Sequence, residues 1–253
     1  MKKILLLLVS VLCGLSILCG CRDPYASTTC GDFVYFIRES EGNEVAFLNG
    51  LSEQGKQKKV VIVPETVDGY DVVALSYMFG IANLGELESR SIEALYIPSE
   101  VYIGGSGTFN SCPNLKKIVF INVNGWRSLD YYPHNYDDLI NVYYCSAYDG
   151  YDGYYVDSHI GRYANVSYMY NYEGAENEGY YWVDNFDYGG TIGYIPENPE
   201  REGYTFGGWY KEPECINKWN FESDVLPEER TEMNEEGEEE VVYQETRLYA
   251  KWL

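Results

Sequence analysis

Two stretches of this chain repeat each other. The run Val61, Ile62, Val63, Pro64, followed by Val67, lines up with Leu95, Tyr96, Ile97, Pro98, followed by Val101. Phe79 with Asn83 and Leu84 matches Phe109 with Asn114 and Leu115, and a third start at Ile118, Val119, Phe120 follows the second after a shorter interval. Self-similarity of this kind marks units that cannot bury an apolar face alone and gain a core by stacking. Each unit reads as a short strand, a turn after proline, a second extended piece and a helical turn. Ahead of them, residues 31–50 alternate apolar and polar. Phe33, Tyr35 and Ile37 share a face, Glu41, Gly42 and Asn43 make a turn, and Val45, Phe47 and Leu48 return, which predicts a β-hairpin.

The repeat residues resemble leucine-rich repeats of the bacterial surface antigen type. Ile97, Pro98, Val101, Ile103, Gly104, Phe109, Asn110, Cys112, Leu115 and Ile118 stand where that consensus has Ile-Pro, Val, Ile-Gly, Phe, Asn-x-Cys and Leu-x-x-Ile. The resemblance implies a short solenoid over residues 31–123, with Cys112 packed inward as a small apolar residue.

The N-terminus reads as an export signal. Lys2 and Lys3 precede an apolar run over residues 4–9, and Leu18, Cys19, Gly20, Cys21 close the segment. A membrane-crossing helix wants about eighteen uninterrupted apolar residues, and Gly14, Ser16 and Gly20 interrupt this one. Those last four residues resemble a lipobox. The resemblance implies a lipoprotein signal peptide over residues 1–20, lipidation of Cys21, a tether over residues 21–30, and an extracytoplasmic body anchored to the bacterial membrane or outer surface.

A net charge of −22 disfavours nucleic acid, whose phosphates require a concentrated basic surface. Four cysteines follow Cys21, namely Cys30, Cys112, Cys145 and Cys215. No pair has CxxC spacing and only His134 and His159 offer imidazoles, so neither a metal site nor a cofactor is expected. Buried or solitary thiols are the default reading, with a Cys145–Cys215 bridge as the alternative.

Seventeen tyrosines lie between Tyr131 and Tyr194, many of them in a Tyr-rich connector over residues 124–163. Rings beside amides and carboxylates suit a sugar-binding surface; the plainer reading is that tyrosine is a good strand residue. Asp149, Asp152 and Asp157 lack the spacing of a calcium loop. Over residues 228–240, eight glutamates with no apolar periodicity predict a solvated loop.

Residues 164–253 carry Gly189, Gly190, Thr191, then Pro199, Arg201, Gly203, Tyr204, Phe206, Gly208, Trp209, Tyr210, and finally Leu248, Tyr249, Ala250, Trp252. Tyr204 and Phe206 alternate on a glycine-rich backbone, and Trp209, Trp219 and Trp252 read as core. The ordered motifs closely resemble the internalin B-repeat, or Listeria–Bacteroides repeat. That resemblance implies a compact β-grasp-like domain with a single helix or helical turn.

The expected class is therefore mainly β with short helical turns, an α+β chain made of a short leucine-rich-repeat solenoid followed by a small β-grasp-like domain. No HExxH frame, Gly-x-Ser-x-Gly elbow or phosphate loop is present, so the chain does not read as an enzyme. The leading expectation is a lipid-anchored surface protein that binds a protein or glycan on host or neighbouring cells. Alternatives are an envelope spacer without a ligand and a polysaccharide-capturing accessory lipoprotein. Tyr96, Tyr102, Tyr143 and Tyr144 are the candidate ligand contacts, because Tyr96 alternates with Leu95 and Ile97 and is expected to point outward.

Overall fold

The computed structural model describes residues 27–75, 89–98, 101–103, 112–123, 141–147 and 161–253. Cys21 and the export segment lie outside them, as do Phe79, Asn83, Leu84, Phe109 and most of residues 124–160.

Alternation folds the N-terminal segment on itself. Strands β1 (Thr28–Cys30), β2 (Phe33–Ser40) and β3 (Asn43–Leu51) form an antiparallel meander. Its second turn uses only Glu41 and Gly42, both at positive φ, as a two-residue hairpin turn of this kind requires. A register shift between Val34 and Tyr35 sets Tyr35 opposite Leu48 and Ile37 opposite Ala46. The core face of the returning strand is consequently Ala46, Leu48 and Leu51. Phe47, expected on that face, lies on the other, where its ring stacks on Phe36 at 5.4 Å. Beside β3 runs β6 (Tyr70–Leu75), which also pairs with β5 (Thr66–Val67) and β8 (Tyr102–Ile103).

A second sheet is wholly parallel, with its strands neighbours in chain order: β4 (Val60–Ile62), β7 (Ala94–Ile97), β9 (Lys117–Phe120), β10 (Asn141–Tyr144) and β11 (Gly161–Tyr163). Val60 stands beside Ala94 and Ala94 beside Lys117, so the unequal intervals between the repeat starts reappear as strand register. Both faces of this sheet are closed. Val61, Leu95, Ile97, Ile118, Phe120 and Val142 enter an aliphatic core shared with the hairpin sheet. Ala94, Tyr96, Val119 and Ile121 enter a second core, shared with the C-terminal strands.

Those strands are β12 (Val166–Met169), β13 (Tyr180–Asp184), β14 (Phe206–Tyr210) and β17 (Thr246–Trp252), ordered β13-β12-β17-β14 with β12 and β17 parallel at the centre. Trp209 and Trp219 are buried in this core and Trp252 packs at its margin. The acidic segment forms a hairpin of β15 (Thr231–Met233) and β16 (Glu239–Val241) in place of a structureless loop, with every strand residue exposed.

The expected α+β class and solenoid do not hold. Among the described residues the only helical pieces are 3-10 turns at Gly55–Gln57 and Asn177–Gly179, and no α-helix packs on the C-terminal sheet. The described residues form a mainly β assembly of several small sheets. Its parallel strands are not the open face of a repeat array, because sheets cover them on both sides.

Candidate functional site

The fold assigns the candidate tyrosines different fates. Tyr96 does alternate with Leu95 and Ile97, but the face it points to is filled by the C-terminal sheet and its exposure is 0%. Its ring lies 4.8 Å from that of Trp182 and 5.3 Å from that of Tyr194, and its hydroxyl donates to Asp184 Oδ2 at 2.7 Å. The outward expectation for Tyr96 is therefore corrected: it is a core residue joining two sheets. Tyr102 lies in β8, and its side chain falls outside the described residues. Tyr143 is half-buried on the same side as Tyr96, and Tyr144 is half-buried against the aliphatic core.

Two polar clusters fasten the parallel sheet to the C-terminal one. In the first, Asp184 is fully buried and accepts from Tyr96, from the backbone N–H of Asn185 at 2.7 Å and from Lys117 Nζ. Burial pushes the Asp184 carboxyl up from its ordinary value, and Lys117, Tyr96 and the Asn185 N–H pull it back. Lys117 also sits 4.7 Å above the ring of Phe186. In the second cluster, the Ser146 and Ser167 hydroxyls donate to Glu245 Oε1, Arg247 donates to Glu245 Oε2 at 2.9 Å, and Arg247 reaches the Tyr180 hydroxyl at 3.2 Å. Asn177 adds a third link, accepting from Val123 N–H at 2.7 Å and donating to Ile121 O at 3.0 Å. These groups are spent on one another across the joint between the two sheets. Cys145 beside them is fully buried, which pushes its thiol up to about 11 and leaves it unreactive at neutral pH. Cys30, Cys112, Cys145 and Cys215 are all free thiols, so the alternative Cys145–Cys215 bridge is not formed. Among the described residues, no three His, Cys, Asp or Glu side chains gather to hold a metal ion.

One accessible group of side chains is aromatic. Tyr144 and Tyr163 are register partners on adjacent parallel strands, so their rings meet edge to face at 5.1 Å. Tyr163 in turn lies 5.8 Å from Tyr243, which arrives from the stretch between β16 and β17. Tyr243 is pinned by its hydroxyl, which donates to Ala164 O at 2.8 Å. Tyr163 and Tyr243 are each 42% exposed, and β11 is the edge strand of its sheet. The result is a strip of three rings, anchored in the core at Tyr144 and wet at the other two. Composition pointed to Tyr144 but passed over Tyr163 and Tyr243. No local spacing links residues so far apart in the chain, and only the strand pairing brings them together.

Residues 165–234 match the family model of the Listeria–Bacteroides repeat domain. A stretch of 66 residues is 44% identical to a protein of Evansella cellulosilytica named "Putative membrane protein", covering 26% of this chain. The chain spans only 7% of that relative's length. No solved structure matches the chain. With its repeat-domain match at residues 165–234, the chain is similar to surface-associated bacterial proteins.

Proposed function

We propose that the protein works at the bacterial surface by binding, recognising a glycan or protein on a host or neighbouring cell, and performs no catalysis. The observation that supports this reading is the Tyr144, Tyr163 and Tyr243 strip. Its rings are held in place by the fold, and those of Tyr163 and Tyr243 are exposed beside a sheet edge. A pyranose packs its C–H bonds on such ring faces while its hydroxyls stay solvated, and rigid rings lose little entropy on binding. A lipid on Cys21 would attach this body to the membrane, and the membrane in the name of the Evansella relative is in keeping with that attachment.

The test is a screen of the full-length protein against glycan and matrix-protein arrays, alongside the variant combining Tyr163→Ala and Tyr243→Ala. Both side chains are well exposed, so the variant should fold. A saturable hit lost in the variant, with an unchanged unfolding midpoint, supports recognition through the strip. No hit from a cooperatively folded sample sinks it. A second reading, an envelope spacer without a ligand, is favoured by the buried contact between the parallel and C-terminal sheets, which makes the described body stiff. It predicts an empty screen.

A further inference from the structure

The turn at residues 201–204 holds a cation without an anion. Tyr204 N–H donates to Arg201 O at 3.1 Å, and Gly203 closes the reversal at positive φ, a backbone state for which glycine at this turn position is suited. The turn brings the Arg201 guanidinium to 3.8 Å from the ring centre of Tyr204, with Tyr172 at 4.2 Å and Trp252 at 5.8 Å. Cation–ring attraction of about 0.5–1 kcal/mol per contact holds it there. Among the described residues its side chain makes no hydrogen bond or ion pair, although Glu200 and Glu202 flank it and the chain carries a charge of −22. Arg230, Arg247, Lys211 and Lys117, by contrast, all meet carboxylates. Arg201 is thus oriented by rings, and its N–H edge is left unused.

The guanidinium edge is a fork matched to a carboxylate, which it binds through two parallel hydrogen bonds. Beside it, the Tyr204 ring is 51% exposed and offers a face to a sugar. We propose that Arg201 and Tyr204 form a subsite for a hexuronate residue of an acidic glycan, the carboxylate pairing with Arg201 and the pyranose stacking on Tyr204. The chain's negative charge does not forbid this. At physiological ionic strength charges beyond about 8 Å are largely screened, whereas a contact pair is not. Glu200 and Glu202 disfavour a densely charged polyanion more than an isolated uronate, so the site selects spaced carboxylates. A peptide carboxylate would engage the fork but gain nothing from the ring. None of these residues belongs to the tyrosine strip, so failure here and failure there are separable.

The experiment titrates full-length protein in detergent with a glucuronate-containing oligosaccharide, its neutral counterpart of the same linkage, and a short peptide with a free carboxylate. Binding is followed by tryptophan fluorescence, which Trp252 should report. The uronate should bind saturably, at least about tenfold more tightly than the neutral sugar, as a charge-assisted pair implies, and more tightly than the peptide, which lacks the ring contact. Arg201→Met should abolish the preference over the neutral sugar and Tyr204→Ala the preference over the peptide, Arg201→Lys should weaken the first, and Tyr163→Ala should leave both intact. Circular dichroism and the thermal midpoint establish that each variant is folded. Should Arg201→Met not fold, Tyr204→Ala, which alters an exposed ring, carries the test. Absence of saturation up to about 10 mM, equal binding of the neutral sugar or of the peptide, or an unchanged uronate affinity in folded Arg201→Met or Tyr204→Ala overturns the proposal.

Discussion

The two cores of this protein are built from different chemistry. Between the hairpin sheet and the parallel sheet, the filling is mainly aliphatic, with Phe33, Tyr35 and Phe120 the aromatic members: Leu48, Val61, Leu75, Leu95, Ile97 and Ile118 are all at most 1% exposed. Between the parallel sheet and the C-terminal one it is aromatic, with Tyr96, Tyr168, Trp182 and Trp209 at its centre. Aliphatic side chains bring no polar atoms and place no demand on their neighbours beyond shape. Buried rings of tyrosine and tryptophan bring a donor each. Tyr96 finds Asp184, while the indole N–H groups of Trp182, Trp209 and Trp219 and the Tyr168 hydroxyl have no partner among the described residues. Such an unpaired group costs about 1–3 kcal/mol. Partial compensation comes from ring pairs such as Tyr168 with Trp209, whose centres lie 4.8 Å apart. Each such pair returns about 1 kcal/mol beyond its buried area. The aromatic core therefore gives up some stability, and its polar fasteners set one particular docking of the sheets.

The largest effect should come from breaking that docking. Asp184→Ala leaves Lys117 facing a buried wall with no carboxylate and strips Tyr96 of its acceptor, so we expect a loss of about 3–5 kcal/mol. Denaturant unfolding followed by tryptophan emission and by far-UV circular dichroism should show one shared transition moved to lower midpoint. Two separated transitions, with only the tryptophan signal shifted, would mean that the cores unfold independently.

Much of this arrangement was legible, and the limits have physical causes. The intervals between the repeat starts set which strands are neighbours and in what register, because like residues fall side by side in a parallel ladder. The motif around Trp209 announced the C-terminal module; Trp209 and Trp219 are core as expected, while Trp252 packs only at the margin. Tyr96 was placed on the right face of its strand but in the wrong surroundings. Alternation tells which residues share a face and says nothing of what covers it. A signal was present even so: Leu95, Tyr96, Ile97 and Ile118, Val119, Phe120 are unbroken apolar runs, which parallel strands show when both faces are buried. Phe47 was misplaced because a bulge shifts the register by one position, which local alternation does not reveal. Tyr163 and Tyr243 were missed because their meeting depends on chain returns with no sequence mark.

Adjacent residues of β7 compare the two cores within a single strand. Leu95→Ala opens a hole in the aliphatic core and should cost about 2–5 kcal/mol, since the surrounding strands collapse only partly. Tyr96→Phe keeps the ring and removes one hydrogen bond to a carboxylate, for about 1.5–3 kcal/mol. Thermal midpoints of the two variants and of their combination measure the coupling. We expect near-additive losses, because the side chains lie on opposite faces and share no core. A large coupling would show that the parallel sheet transmits strain between its faces.

A smaller loss should follow Gly203→Ala. No atom lies within 4 Å of the added methyl, so only backbone strain at a positive φ opposes it. That strain costs about 1–2 kcal/mol for a residue with a Cβ. Gly203→Asn should cost less, since asparagine tolerates this region, and the denaturation midpoints of the two variants should rank in that order.

The finest comparison is by pH, using one tyrosine from each region. Tyr35, beneath the hairpin sheet, is pushed up to about 12 by burial and by the Asp68 carboxylate, to which its hydroxyl donates at 2.6 Å. Tyr181, in the C-terminal sheet, is also pushed up to about 12, by burial first and then by the charge of Glu197; its hydroxyl donates to the Glu197 backbone oxygen at 2.7 Å. In both, the folded chain holds the proton more tightly than the unfolded chain, whose tyrosines titrate near 10. Their contribution is thus complete below about pH 10 and is lost as the pH rises through 12. Tyr35→Phe removes one hydrogen bond at neutral pH, for about 1 kcal/mol, and flattens the alkaline decline at the same time. If the regions unfold as one, Tyr181→Phe flattens the same curve in the same window, and stability against pH read from either core should coincide. If the curve read from the tryptophans responds only to Tyr181→Phe, the cores are thermodynamically separate, and the buried fasteners hold together two bodies that each fold without the other.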